Sequence, residues 1–332
     1  MRVVAAPDKF RGSLSAFKVA EAISRGVEKK GGISLSAPMA DGGEGTLDAL
    51  GGPNRKTLVT GPLGLPVEAE WRLEGGTAVI EMAKASGLTV VGGSDFNKPL
   101  EATSTGTGEL IRCAVEQGAQ RLIIGLGGSA STDGGFGALK AMGSLARYKG
   151  IEIVAACDVQ TDFISAAETF SPQKGATSSE VKFLHRRLER LLQIYEENYG
   201  VSIEGLPRSG AAGGLAGALF VAGAKLVSGF DLIAEETALD ELMLGADLVI
   251  TGEGKLDTTS FQGKVVSGVS NYAESASIPV FVIAGVVSQG MEGLIDAISL
   301  TELFGQEKSF SETAACIEDA VFEKLSSNFT DL

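Results

Sequence analysis

The chain has 332 residues, of which 44% are hydrophobic and 21% charged, a balance typical of folded globular proteins and not of disordered or fibrous ones. Its 28 basic and 42 acidic side chains give a formal net charge of −14, which argues against nucleic acid as the main partner. Three scattered cysteines and a single histidine, His185, argue against a disulfide framework, a thiolate zinc site and histidine-based catalysis. No signal peptide or membrane segment is recognised, so we expect a cytoplasmic protein with no membrane partner and leave the oligomeric state open.

The first residues predict an α/β unit. Residues 2–6 are predicted to form a short buried strand, and Ser13 to Ser15 begin a helix that ends at Gly31-Gly32. Its apolar face is predicted to contain Phe17, Ala20, Ile23 and Val27. A second strand is predicted over residues 33–37. The unit therefore alternates strand, helix and strand, as parallel sheets do.

The middle of the chain changes sheet style. Residues 67–73 alternate apolar and charged side chains, and Gly75-Gly76 separates them from residues 77–82. This pattern predicts an antiparallel hairpin with one solvent-exposed face. From residue 105 onward, predicted helices and strands alternate again. Helices are predicted over 107–116, through Leu139 and Leu145, over 178–198 and for the small-residue run 208–223, with strands at 121–124 and 151–156.

The carboxyl-terminal part again alternates strands and helices. Apolar runs at 246–251 and 279–284 flank a helix near 265–273, which is the pattern of a parallel sheet. We therefore expect an α/β protein of two lobes. One lobe, residues 1–60 plus 240–332, is built from both chain ends, and the other, an inserted mixed α/β lobe, covers residues 61–239.

Glycine stands out, with 45 residues, and it concentrates in loops that also carry charge. Four such loops follow predicted strands: 6–13, 40–46, 125–135 and 251–257. Ligands of open α/β sheets bind at the carboxyl ends of strands, where helix N-termini present free N–H groups. The four loops together favour a phosphorylated ligand, although a single glycine-rich loop of this kind is more often only a tight turn.

Other nucleotide motifs are weak or missing. Gly125, Gly127 and Ala130 follow a strand and loosely fit a dinucleotide fingerprint, but a ribose-binding acid about 20 residues later is not convincing. The P-loop pattern and the protein-kinase motifs do not occur. A nucleotide-dependent dehydrogenase and a small-anion-binding two-lobe protein stay open as alternatives.

The loops resemble, in order and nearly end to end, those of the bacterial-type glycerate kinase family. The strings that carry the resemblance are APDKFRGSLSA from Ala6, PMADGGEGT from Pro38, TSTGTGELI from Thr103, GLGGSASTDGG from Gly125, PQKGA from Pro172, GAAGGLAGAL from Gly210 and TGEGKLD from Thr251. The resemblance implies a Rossmann- or flavodoxin-like lobe made of both termini, an inserted lobe, and an active site in the cleft between them. It also implies Mg²⁺-dependent transfer of the ATP γ-phosphoryl group to D-glycerate, with 2-phosphoglycerate favoured over 3-phosphoglycerate.

Site residues are assigned on that resemblance. Asp41 is expected to accept or orient the proton of the glycerate hydroxyl with support from Glu44, while Lys9 and Arg11 face the glycerate carboxylate or the transferred phosphate. The ATP phosphates are assigned to Gly127, Gly128 and Ser129 together with Lys174 or Lys264. The Mg²⁺ ligands are expected among Asp133, Glu253 and Asp257.

Several places depart from the family pattern. The family often has Ser where this chain has Lys9, Lys where it has Arg11, and Gln where it has Thr259. The segment Asp158 to Phe163 replaces an Asn-Pro-Leu stretch, which puts substrate contacts there in question.

Overall fold

The fold is taken from a computed structural model, which describes residues 1–261, 264–291, 293 and 295–328. The chain divides into two compact units. Unit 1 comprises Met1–Asp41, Asp48–Leu50 and Phe230–Leu332, and unit 2 comprises Gly42–Leu47 and Gly51–Gly229. Both units are α/β, as the sequence predicts.

The strands are, in chain order, β1 (Arg2–Ala5), β2 (Ile33–Ser36), β3 (Arg55–Thr60), β4 (Pro66–Glu74), β5 (Thr77–Glu81), β6 (Arg121–Gly125), β7 (Glu152–Ala156), β8 (Lys225–Val227), β9 (Leu248–Leu256), β10 (Val280–Val287) and β11 (Ala297–Ser299). The helices are α1 (Ala16–Lys29), α2 (Thr46–Ala49), α3 (Met82–Ser86), α4 (Thr105–Glu116), α5 (Phe136–Met142), α6 (Ala166–Phe170), α7 (Ser178–Tyr199), α8 (Leu215–Val221), α9 (Gly229–Glu236), α10 (Leu239–Met243), α11 (Val265–Ser275), α12 (Leu300–Phe304), α13 (Gln306–Ser311) and α14 (Thr313–Asn328). Short 3₁₀ turns cover Ser94–Phe96, Leu145–Tyr148, Pro172–Lys174, Ala211–Gly214 and Thr258–Phe261.

Unit 1 is built on a five-stranded, fully parallel sheet in the order β11-β10-β9-β1-β2. Counted within the unit, that order is 2-1-3-4-5, the flavodoxin-like doubly wound arrangement. The sequence-based prediction of a Rossmann- or flavodoxin-like sheet using strands from both chain ends is therefore confirmed in its flavodoxin form. Buried side chains cover both faces of this sheet.

Helix α1 shows how the pattern determines the packing of unit 1. The Ser15 side chain accepts the N–H of Lys18 and so caps the helix N-terminus. The buried stripe contains Ala16, Val19, Ala20, Ile23 and Val27. Phe17, predicted to lie on this face, is 49% exposed, because it sits one residue, or about 100°, round the helix from Ala16.

Unit 2 is built on a six-stranded mixed sheet in the order β3-β4-β5-β6-β7-β8. β3, β4 and β5 are antiparallel, and β5 to β8 are parallel. The predicted hairpin is confirmed: Ala69 and Trp71 of β4 are buried, and Gly75 and Gly76 both have positive φ in the turn. Strands β3 and β8 are not among the predicted strands.

Three predicted boundaries of these elements are wrong for identifiable reasons. α5 ends at Met142 and does not reach Leu145, because Gly143 has φ +76° and breaks the helix. In the small-residue run only Leu215–Val221 is α-helical, since Ala212 and Gly213 adopt left-handed conformations before it. β9 continues to Leu256, so residues 252–256 lie in a strand paired with β10 and not in a loop.

Among the described residues, no helix combines the length and the apolar composition that crossing a membrane requires.

Candidate functional site

Unit 1 carries a cavity of about 380 Å³ whose lining is almost entirely charged. It lies where β1 ends and along the last residues of β9. The lining residues are Asp8, Lys9, Arg11, Asp41, Glu253, Gly254, Lys255, Asp257, Thr259 and Lys264. Carboxylates and cationic side chains therefore face one space in equal numbers.

The sheet topology explains the position of this cavity. β1 is flanked by β2 on one side and by β9 on the other, so the order of strands reverses between β1 and β9. In doubly wound sheets a crevice opens outside the carboxyl ends of the strands at this point, and ligands bind there. The N–H of Asp8 donates to the Gly252 carbonyl at 2.8 Å, which ties the two strand ends together.

A close approach of backbones shapes one wall of the cavity. A Cβ built on Gly254 would lie 3.2 Å from the Arg11 nitrogen and 3.5 Å from the Phe10 Cα. A side chain at this position would push β9 and the loop that follows β1 apart by a few tenths of an ångström. The glycine sets the position of Arg11 in the lining.

Asp8 is a site residue that the sequence-based assignment missed. Its carboxylate accepts the backbone N–H of Lys9 at 2.7 Å. Burial raises the pKa of Asp8 to about 6; Lys9 and Arg11 oppose the rise, and the Asp41 carboxylate adds to it. In the sequence, Asp8 stands shortly after β1 and directly before Lys9, whose charge already indicated a site at this position.

Glu253 is the second carboxylate with a strongly shifted titration. Burial raises its pKa to about 7, against a hydrogen bond from Ser260 and the charge of Lys264. Its Oε1 atom is buried and has no hydrogen-bond partner among the described residues. A buried, unpartnered carboxylate oxygen facing a cavity suits a cation, since hard oxygen donors are what Mg²⁺ prefers.

Asp257, Thr259 and Lys264 form a chain of hydrogen bonds along the cavity. Asp257 Oδ1 accepts from the Thr259 N–H at 2.9 Å and from its hydroxyl at 2.7 Å. Lys264 Nζ donates to Thr259 Oγ1 at 2.9 Å. Thr259, where the family often has Gln, thus fixes both of its charged neighbours.

Unit 2 carries the second group of predicted residues, on the loop that follows β6. Gly128 has φ +66°, and a Cβ on Gly127 would meet the Gly43 Cα at 2.8 Å, beside the Glu44 nitrogen at 3.7 Å. The predicted residue Glu44 itself is exposed on this segment. Within the residues that the structure describes, the N–H groups of Gly127, Gly128 and Ser129 donate no hydrogen bond. Three successive backbone N–H groups without an acceptor, at a turn of glycines, can bind an anion.

Asp133 closes the same loop and is 8% exposed. Its Oδ2 accepts the N–H and the hydroxyl of Ser104, both at 2.8 Å, and the N–H of Gly137 at 3.3 Å. Its Oδ1 accepts the N–H of Gly135 at 3.2 Å. In this arrangement the carboxylate joins the loop to the start of α4.

Lys174 is 3% exposed, and its ammonium group points into the same loop. Nζ donates to Ser129 Oγ at 2.8 Å, to the Ser131 carbonyl at 2.6 Å and to Thr132 Oγ1 at 3.4 Å. Burial lowers the pKa of Lys174 to about 7, and the nearby Asp133 carboxylate opposes that shift. Lys174 and Lys264, which the sequence could not separate, therefore stand in very different surroundings.

The predicted residues thus fall into two groups. Unit 1 brings together Lys9, Arg11, Asp41, Glu253, Asp257 and Lys264, and unit 2 brings together Glu44, Gly127, Gly128, Ser129, Asp133 and Lys174. Asp133 is in a different unit from the other two predicted Mg²⁺ ligands. Among the described residues, no group of three or more His, Cys, Asp or Glu side chains has the arrangement of a metal site.

Glu81 is a further residue that the sequence analysis missed. It is 2% exposed at the end of β5, and its Oε1 accepts the N–H groups of Gly45 and Leu47 at 2.9 and 2.7 Å. It therefore fixes the glycine-rich segment that carries Glu44. The signal that could have found it is a glutamate at the end of an apolar strand, since a buried carboxylate requires partners.

Comparison with known proteins agrees with these observations. The model of the Glycerate kinase family matches residues 3–147 and 144–328. The chain is 38% identical to a glycerate kinase of Halalkalibacterium halodurans, over 94% of this chain and 96% of that one. It is 38% identical to the glycerate 2-kinase of Escherichia coli K12, over 94% and 90% of the two chains.

A solved structure gives the same answer for the fold. A Salmonella typhimurium LT2 protein that carries the name glycerate kinase 2 superposes with a TM-score of 0.86 at 34% identity, covering 98% of each chain. The matches extend over almost the whole chain and include both units, so the sequence-based prediction of a kinase of this kind is confirmed. The chain belongs to the glycerate kinase family.

Proposed function

We propose that this chain transfers the γ-phosphoryl group of ATP to D-glycerate in the presence of Mg²⁺, with the 2-hydroxyl as the acceptor and 2-phosphoglycerate as the product. The observation that carries the proposal is the charged cavity at the switch point of unit 1, in a chain of the glycerate kinase family. The relative named glycerate 2-kinase supports the choice of hydroxyl. Phosphoryl transfer requires mainly positioning and charge neutralisation, which this chain supplies without histidine chemistry.

The cavity contains what a small hydroxy acid needs. Lys9 and Arg11 bind the glycerate carboxylate or the transferred phosphate, because both cations lie in the lining with Asp41. Asp41 orients the reacting hydroxyl and accepts its proton. Asp8, whose pKa is raised to about 6 by burial with a contribution from the Asp41 charge, lies in the same lining.

Glu253 is the residue of this chain best suited to hold Mg²⁺, with Asp257 beside it in the lining. Bound Mg²⁺ supplies neutralisation of the negative charge on the phosphate oxygens. Both oxygens of Asp257 already have partners, namely Thr259 and, at 3.4 Å, Lys255. Both oxygens of Asp133 accept hydrogen bonds within unit 2, so its assignment to Mg²⁺ stays a prediction.

The ATP phosphates are assigned to the N–H groups of Gly127, Gly128 and Ser129 and to the ammonium of Lys264. What supports the first assignment is the undonated N–H groups of a glycine turn. What supports the second is the hydrogen bond with Thr259, which holds Lys264 in the cavity lining. The expectation that the substrate binds between the two lobes stays a prediction.

The test is an ATP-consumption assay with purified protein. ADP should form only when D-glycerate and Mg²⁺ are both present, and phosphorus NMR should show the phosphate on C2. Turnover that survives EDTA, or that ignores glycerate and accepts other hydroxy acids or sugars, contradicts the proposal. Reduction of NAD(P) would instead support a nucleotide-dependent dehydrogenase. Glycerate binding without ATP consumption would support a small-anion-binding protein.

Asp41→Asn probes the proposed proton acceptor. The change keeps the shape and removes the charge, so kcat should fall by about 10²-fold or more. Asp240→Asn, at an exposed position of α10, makes the same change of charge in unit 1 and should leave kcat unchanged. A folded Asp41→Asn protein with most of its kcat would move the role to Asp8, since that carboxyl shares the cavity.

A further inference from the structure

Lys174 is bound entirely within unit 2. It ends the 3₁₀ turn Pro172–Lys174, and in its charged form the three protons of the ammonium match three acceptors: the Ser129 hydroxyl, the Ser131 carbonyl and the Thr132 hydroxyl. Thr132 Oγ1 in turn accepts from the Ser171 hydroxyl at 3.0 Å. The full donor capacity of the lysine is therefore used inside the protein.

The pocket around the ammonium is closed by backbone. A Cβ on Gly213 would lie 3.0 Å from Lys174 Nζ and 2.1 Å from the Ser131 carbonyl oxygen. Gly213 has φ +69°, so glycine is required here both by conformation and by space. Because Lys174 is 3% exposed, a head group larger than ammonium would have to displace this backbone.

Asn97 joins the same two segments a second time. Its Nδ2 donates to the carbonyl oxygens of Ala130 and Lys174, at 3.0 and 2.9 Å. The loop from Ser129 to Thr132 is thus held by one ammonium and one amide, both reaching it from outside the loop. The residues that they contact, Ser129 to Thr132, directly follow Gly127 and Gly128 in the chain.

We propose that Lys174 is a positioning residue for nucleotide binding: its ammonium fixes the Ser129 hydroxyl and the Ser131 carbonyl, and thereby sets the spacing of the N–H groups of Gly127, Gly128 and Ser129. In this role Lys174 does not touch the nucleotide. The inference rests on the proposed function, because it assumes that these N–H groups bind phosphate. It replaces the direct lysine–phosphate contact that the sequence suggested.

The two roles predict opposite behaviour for a conservative change. A lysine that contacts phosphate is partly replaced by arginine, which keeps the charge. A lysine that fills this closed pocket is not, so Lys174→Arg should be as damaging as Lys174→Met. Both should raise KM for ATP at least tenfold and change KM for D-glycerate less than twofold. Lys182→Met, at an exposed position of α7, is the matched control and should change neither constant.

A double-mutant cycle tests the route of the effect. Ser129→Ala removes one acceptor of the ammonium and leaves the backbone N–H groups in place. If Lys174 acts through this loop, Lys174→Met should cost at least fivefold less in KM for ATP in the Ser129→Ala background than in the wild type. Additive effects overturn the proposal, as does a Lys174→Arg protein with nearly normal KM for ATP.

Hydrogen exchange gives a readout that does not depend on activity. Two amides that hold this loop, that of Ala130 on the Ser86 carbonyl and that of Leu88 on the Gly128 carbonyl, should exchange faster in Lys174→Met and in Ser129→Ala than in the wild type. Removing a side chain that only contacts phosphate leaves exchange of the free protein unchanged. If Lys174→Met does not fold, Ser129→Ala alone carries this test, and unchanged exchange in it overturns the proposal. Altered exchange in a protein whose wild type neither binds ATP nor phosphorylates glycerate shows instead that the proposed function has failed.

Discussion

Glu81, the last residue of β5, accepts the backbone N–H of Gly45 with Oε1 at 2.9 Å, and the same oxygen accepts the N–H of Leu47 at 2.7 Å. Both N–H groups are in buried residues. One carboxylate thus satisfies two orphan donors in the segment that follows Asp41. The position of that segment depends on a residue that is remote from it in sequence.

Replacing Glu81 by Ala should therefore be costly. Leaving two buried N–H groups unpaired is expected to lower the free energy of unfolding by about 2–5 kcal/mol. Because the glycine-rich segment loses its anchor, kcat should also fall at least about tenfold. Glu81→Gln keeps an acceptor oxygen and should recover most of both quantities. Thermal unfolding and steady-state kinetics on the two variants check this, and equal losses in Ala and Gln would show that the charge matters and not the acceptor.

Asp8 is predicted to lower the free energy of unfolding above about pH 6. Its pKa rises from 3.8 in the unfolded chain to about 6, so between these values the folded protein binds more protons than the unfolded one. The free energy of unfolding therefore falls as the pH rises through this window, and the full cost is present above pH 6. A pKa rise of this size corresponds to a cost of roughly 3 kcal/mol at most.

Asp8→Asn should remove that cost and lose activity. Without added metal, its unfolding temperature should exceed that of the wild type at pH 8 and match it at pH 4, while kcat/KM falls. The two proteins should thus differ in the slope of stability against pH. A variant with the same pH dependence as the wild type would show that the Asp8 carboxyl is well solvated when charged.

The elements were predictable wherever one periodic face is buried against one layer. The alternation in β4 and the helical spacing in α1 both indicated the correct structure, because a single buried face dictates each pattern. Phe17 shows the limit of this reasoning, since an apolar residue next to the stripe is not thereby part of it. The extension of β9 to Leu256 was hidden by its glycines, which are tolerated there because neighbouring backbones approach them closely.

The sequence indicated which charged residues line the candidate site better than it indicated how deeply each of them is buried. Charged residues after β1 and along β9 indicated most of the unit 1 cavity. The burial of Lys174 could not be predicted, because a lysine beside a glycine looks the same in sequence whether it is solvated or enclosed. What encloses it is Gly213, well beyond it in the chain, and that contact exists only in the folded unit.

Thr259 links Asp257 to Lys264, and its hydroxyl should matter for the nucleotide more than for glycerate. Thr259→Val keeps the shape but removes the acceptor of the Lys264 ammonium and one donor to Asp257. With Lys264 released from the lining, KM for ATP should rise by about three- to tenfold, which corresponds to the typical net contribution of a single hydrogen bond, about 0.5–1.5 kcal/mol. Thr258→Val, one residue earlier on the same turn, serves as the control for inserting valine. An unchanged KM for ATP in Thr259→Val would mean that Lys264 does not bind the nucleotide.

Substitutions at Gly128 should affect stability and ATP binding separately. At φ +66° any side chain strains the backbone, by roughly 1–2 kcal/mol, so both Gly128→Ala and Gly128→Val should lower the unfolding temperature. Inside the protein there is room for a methyl group, since a Cβ would lie 3.5 Å from the Ala83 Cβ, an ordinary contact. The alanine variant that folds should therefore keep its KM for ATP within about twofold, because a small methyl leaves the N–H groups approachable.

Gly128→Val tests whether the N–H groups of residues 127–129 bind ATP. Its branched methyls would occupy space over the N–H groups of residues 127–129, which the proposed phosphate cradle must leave to ATP. KM for ATP should then rise at least about tenfold beyond that of Gly128→Ala, with KM for D-glycerate unchanged. Nucleotide binding by calorimetry, measured on the same samples as the unfolding temperature, keeps the two effects apart. If folded Gly128→Val binds ATP as tightly as Gly128→Ala, the glycine serves the turn alone, and the phosphate assignment moves to the residues that line the unit 1 cavity with Lys264.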